Sequence, residues 1–202
     1  MEMANEIANL NFDDVTLTRK AVVEIFRRYL PTATDASAYI SKTMYEEIRL
    51  DELGEDYEGI TESGRKPEAT EEAIKAITQK LVDGDEEGFI RELMNRVDYE
   101  IKRAAGECAY RNGLRDKARV RFARVPSGKE TCQWCIMLAS RGFVYLSKES
   151  AGELNHYHAN CDCRVVPNFT TDKISKEIVE GYDPKEYYKQ WKESGFNPNK
   201  KS

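Results

Sequence analysis

No stretch of this sequence approaches the roughly eighteen consecutive apolar residues that a membrane-spanning helix needs, so helical membrane insertion is excluded. The opening residues, MEMANEIANLNFDD, carry neither a basic start nor an apolar run, so no secretory leader is read there and the chain is expected to be made and kept in the cytosol. Apolar residues are few: 33% of the 202 residues are charged and the mean hydropathy is -0.69, which predicts a thin core and helices with broad polar faces. No internal repeat is present. Histidine is scarce, with two residues, and the His-Glu-X-X-His arrangement of zinc proteases is missing. The deaminase arrangement is missing too. Thr131 stands where its proline would precede the cysteine pair, Asn160 stands where its glutamate would, and the pair precedes the histidine instead of following it.

What the chain does have is a concentrated set of metal-ligand residues. Cys132 and Cys135 form a Cys-X-X-Cys pair, and His156, His158, Cys161 and Cys163 follow as a second group; of the five cysteines only Cys108 lies elsewhere. Two such groups each close on a tetrahedral zinc from one tight turn. In a reducing compartment metal binding is favoured over disulfides, and no βαβ pattern surrounds the pair to support a thiol redox motif. Spacing leaves two ligand sets open: Cys132, Cys135, His158 and one of Cys161 and Cys163, or all four cysteines with His158 donating from outside. A hydrolytic zinc needs an open position and a nearby general base. The nearby carboxylates Asp162 and Glu153 read as solvated, so no catalytic residue and no enzymatic activity is expected.

Charge is unevenly spread. The net charge is -5, but acidic residues crowd positions 46 to 72 and basic ones positions 111 to 124. Arg119, Arg121 and Arg124 are candidates for contact with nucleic acid or a protein partner, and the acidic segment reads as a solvated loop.

Apolar periodicity predicts helices over most of the N-terminal part. Val15, Val22, Ile25, Phe26 and Leu30 mark a first helix that Pro31 should close, and Thr34 or Asp35 should cap a second one running through Ile40, Tyr45 and Ile48. A flexible acidic loop follows. A third helix is read from Thr70 and a fourth, the spine of the core, from Phe89, Leu93, Val97, Ile101 and Ala105 at i+4 spacing, with Cys108 buried beside it. After Asn112 the texture changes to short β candidates at Val120–Val125, Phe143–Tyr145 and Cys163–Val166, with a helical turn or two over Cys135–Ser140. A short amphipathic piece (Ile174, Ile178, Val179) and an aromatic tail from Tyr182 to Trp191, expected to meet a partner, complete the chain. The reading is an α+β protein: a helical region over 1–115, a small zinc-stapled module over 116–170 and a tail over 171–202.

Residues 123 to 167 also carry a family likeness, through Arg124-Val125-Pro126, Cys132-X-X-Cys135, Ser140-Arg141-Gly142, Tyr145, Tyr157-His158 and Cys161-Asp162-Cys163. This combination resembles the Mu F-like minor capsid, or head morphogenesis, proteins of tailed phages, and Tyr45-Glu46-Glu47-Ile48-Arg49 is compatible with them. The resemblance implies a structural protein of few copies in the virion, acting with portal and capsid proteins in head assembly and in some cases travelling with phage DNA. It implies the bacterial cytoplasm before assembly, no membrane partner and no small-molecule substrate. The site read from the spacing is a structural Zn2+ with ligands drawn from Cys132, Cys135, His158, Cys161 and Cys163, and with Trp134, Tyr145 and Tyr157 packed around it. The rival readings are a zinc-dependent nucleic-acid hydrolase and a zinc-ribbon nucleic-acid-binding protein.

Overall fold

A computed structural model describes residues 2–128, 131–146, 163–170 and 179–198. After a short helix α1 (Glu2–Ala8), the Asp14 carboxylate accepts the Thr16 and Leu17 amides at 2.9 Å and opens α2 (Val15–Leu53), 39 residues long. Pro31 does not close a helix, contrary to the periodicity reading; α2 runs straight past it, and Thr34 is a buried mid-helix residue and no cap. The missing proline N–H costs about 3 kcal/mol in a helix interior, so packing on both sides must outweigh it. Val22, Ile25, Phe26 and Leu30 pack into one core on the N-terminal side. Beyond the proline, small residues continue the buried face at Thr34, Ala38 and Ser41, where the Ser37 and Ser41 hydroxyls donate to the Ile101 and Ala105 carbonyls of a second long helix at 2.9 and 2.7 Å. Pro31→Ala is therefore expected to raise stability by about 1–3 kcal/mol in urea titration; a lower midpoint would mean that the ring itself contributes packing.

Pro67, at the first helical position, starts α3 (Pro67–Ile77) three residues ahead of the predicted Thr70. Thr70 instead donates to the Glu100 carboxylate at 2.8 Å. A break at Thr78 separates the short α4 (Gln79–Val82); Gly84, at φ 76°, then turns the chain and Asp85 caps α5 (Glu86–Arg115) through the Gly88 amide. Phe89 and Leu93 are fully buried, as the i+4 row predicts, whereas Val97, Ile101 and Ala105 are only half-buried. Each i+4 step advances about 40° round a 3.6-residue helix, and so the row drifts off the buried face, which Glu100, Ala104 and Cys108 take over.

The acidic segment between α2 and α3 is strapped down. The Asn112 side chain accepts the Ile60 amide at 2.8 Å and donates to the Ile60 carbonyl at 2.9 Å, Glu46 accepts the Gly59 amide, Arg49 donates to the Glu55 carbonyl, and Arg103 to that of Gly64. Gly64 has φ 57°, and a Cβ there would lie 2.4 Å from Glu107 Cγ, so only glycine fits this close approach. These partners are side chains of helices, invisible to local composition.

Past α5 the chain forms β1 (Arg121–Pro126), α6 (Gln133–Ala139), β2 (Cys163–Asn168) and α7 (Pro184–Ser194). The strands pair antiparallel, with Pro126 opposite Cys163, Arg124 opposite Val165 and Phe122 opposite Pro167. Of the predicted strand at Phe143–Tyr145 a single bridge, Tyr145 to Phe122, forms among the described residues. Side chains alternate along each strand, yet both faces of the ribbon are covered. Phe122, Cys163 and Val165 join Tyr45, Ala109, Tyr110, Cys135 and Leu138 in one core, and Ala123, Val125 and Val166 join Ala139 and Tyr182 in another. Tyr182, expected at a partner surface, is buried and donates to the Ala139 carbonyl at 2.7 Å. The architecture is α+β. Among the described residues no helix is long and apolar enough to cross a membrane.

Candidate metal centre

Cys132 is the residue before α6, in extended conformation, and its Sγ accepts the Cys135 amide at 3.3 Å. A thiol in the cap position and a second one in the first helical turn is how a Cys-X-X-Cys pair turns both sulfurs to one side. Cys163 opens β2 and brings its Sγ to 3.1 Å from that of Cys135, across 28 residues of sequence. That separation is well above the S–S bond length of about 2.05 Å. It is somewhat below the edge of about 3.8 Å that two sulfurs span at about 2.3 Å from a tetrahedral zinc. Both sulfurs belong to buried residues, and Cys108 sits apart, donating to the Ile60 carbonyl at 3.4 Å.

Arg124 corrects the sequence reading. The charge pattern groups it with Arg119 and Arg121 as a surface contact, but it is fully buried, on the ribbon face that carries Cys163 and one diagonal step from it. Its Nε and Nη2 donate to Cys163 Sγ at 3.2 and 2.5 Å. A permanently charged guanidinium is costly to bury without hydrogen-bond acceptors, and the Cys163 sulfur is one of those it has. The imperfect alternation of the three arginines hid this, because alternation separates inside from outside only when one face of a ribbon is wet. Arg119 is exposed and Arg121 half-buried opposite Asn168.

Tyr145 closes the same core, donating to the Leu138 carbonyl at 2.9 Å; burial above all pushes its phenol up to about 12. Trp134 is half-buried and edge-on to Phe196. His156, His158, Cys161 and Tyr157 lie outside the described residues. Among the described residues no three His, Cys, Asp or Glu side chains close on one point; the donors present are soft sulfurs, converging from two segments, with a cationic hydrogen-bond donor behind one of them. Sulfur donors of this kind suit a soft or borderline ion such as zinc.

A polar joint not foreseen from the sequence ties this region to the helices. Asp116, just past α5, receives the Arg49 Nε at 2.8 Å and the Tyr45 hydroxyl at 3.1 Å, and Glu52 accepts the Phe169 amide at 2.6 Å. Tyr45 and Arg49, four apart on α2, share a helical face, which is the one local signal available.

Two curated relatives carry the description Gene 15 protein. That of Mycobacterium phage D29 is 35% identical over a match covering 25% of this chain and 29% of the relative, and that of Mycobacterium phage L5 is 34% identical over 24% and 29%. The match thus spans under a third of the length of either relative. No solved structure matches. The VG15 protein family matches residues 1–194, and the chain therefore belongs to this family of phage proteins.

Proposed function

We propose that this phage protein is a minor structural component of a tailed-phage head, of the Mu F-like head-morphogenesis kind, acting at or near the portal vertex during assembly. In this reading a structural zinc takes its four ligands from Cys132, Cys135, His158, Cys161 and Cys163, and shapes the C-terminal module for docking on portal and capsid proteins. The observation that carries it is the 3.1 Å approach of Cys135 and Cys163, which joins the two halves of the ligand pattern. Their burial supports a structural and not a catalytic metal, since a hydrolytic zinc needs a position open to water and substrate. Arg119, exposed, and Arg121 remain the residues proposed to touch phage DNA or the portal.

Mass spectrometry of purified, tail-free heads tests the assignment. The chain should appear in few copies relative to the major capsid protein, and should be lost from heads assembled with Cys163→Ala. Its absence from wild-type heads, with the protein plentiful in the infected cell, would refute the virion role.

A further inference from the structure

A furrow between α2 and α3 takes no part in the centre described above. A cavity of about 280 Å³ opens there over Val23, Phe26, Leu30, Pro31 and Ile74. It continues, through the shared Val23, Arg27 and Glu71, into a more open recess reaching Arg19 and Lys20. Along α2 the furrow runs from Arg19 to Pro31, about 18 Å or three helical turns. Leu17, 61% exposed, lies on the same helix face as Lys20, Arg27 and Pro31 and extends the apolar track.

The rim is cationic on a chain whose net charge is -5. Arg19, Lys20, Arg27, Arg65 and Lys66 line the furrow. Its acidic residues are already engaged: Glu24 and Glu71 by Arg27, and the buried Glu100 by Arg96 and Arg103. Arg65 pairs with Asp35. Arg19, Lys20 and Lys66 make no ion pair among the described residues, so positive charge is left over around an apolar floor.

We infer that the α2–α3 furrow is the docking site for an acidic amphipathic helix of a partner protein, with apolar side chains on Val23, Pro31 and Pro67, above the buried Phe26, Leu30 and Ile74, and carboxylates on Arg19, Lys20 and Lys66. Two parallel-running requirements select this occupant. An apolar trough between helices takes side chains at i, i+3, i+4 and i+7 spacing, and the surplus cations select carboxylates on the flanks of that stripe. A phosphate backbone would satisfy the rim and leave the floor unfilled. This inference does not depend on the zinc centre or on the virion role.

The test uses the full chain and a fluorescent synthetic helix of about 18 residues with leucines at that spacing and glutamates flanking them. It should bind with an affinity that falls as salt rises, and the same helix with lysine in place of glutamate should not bind. Lys20→Glu combined with Lys66→Glu, both exposed, should weaken binding about tenfold or more without moving the thermal midpoint. Val23→Asp, on the floor, should weaken it as well. Failure of the acidic helix to bind, equal binding of the lysine helix, or binding indifferent to these substitutions overturns the inference. So does tighter binding of a single-stranded oligonucleotide through the same lysines, which would make the furrow a nucleic-acid site. Self-association of the chain abolished by the double reversal would equally overturn it, by making the occupant a second copy.

Discussion

Stripping the proposed zinc with a stringent chelator should lower the thermal midpoint by about 20 °C or more, given that structural zinc supplies roughly ten kcal/mol in small modules and that each kcal/mol moves a domain of this size by about 2–4 °C. The loss falls unevenly. Cys135 and Cys163 share a core with Tyr45, Ala109, Tyr110, Phe122 and Val165, whereas Ile7, Val22, Ile25, Phe26, Ile74, Phe89 and Leu93 form a separate one. Circular dichroism should therefore keep most of its helical signal while hydrogen exchange accelerates in β1, α6, β2 and the last turns of α2 and α5. Cys163→Ser should reproduce the effect, and Cys108→Ser, whose thiol donates to the Ile60 carbonyl instead, should not. A preparation that is folded, equally heat-resistant and empty by elemental analysis would end the zinc reading.

Glu100→Ala comes second in size, with a cost of about 3–5 kcal/mol in urea titration. Glu100 is 2% exposed and accepts from Arg96 at 2.5 Å, Arg103 at 3.1 Å and Thr70 at 2.8 Å. Removing it strands the Arg103 guanidinium, itself buried, without its counter-charge. Replacing both members, Glu100→Leu with Arg103→Met, should recover most of the loss, because an apolar pair of similar volume avoids desolvating either charge. The exposed pair of Glu24 and Arg27 provides the contrast: Glu24→Ala should change stability by less than about 0.5 kcal/mol. If Glu100→Ala were as mild as Glu24→Ala, the carboxylate would not be holding α3 to α5.

The two predictions sit at opposite ends of what the sequence discloses. Helix identity was legible where apolar spacing carried it, at Phe89 and Leu93 or at Val22 and Phe26, and the Cys-X-X-Cys pair announced its convergence with Cys163 through ligand chemistry alone. Pro31 misled because its penalty is local while the compensation comes from Ile101 and Ala105, some seventy residues away. The acidic strap misled for the same reason, its anchors Asn112 and Arg103 belonging to a later helix. Arg124 was legible as a charge but not as a buried one: its environment depends on a ribbon covered on both faces, which alternation within one strand cannot reveal.

The unbroken course of α2 through Pro31 has a mechanical side. With a rise of 1.5 Å per residue, the 25 residues from Lys20 to Tyr45 measure about 38 Å along the axis, from the furrow at one end to the sulfur-bearing core at the other. One rod thus fixes the distance between furrow and sulfur-bearing core, as a gauge block sets a gap.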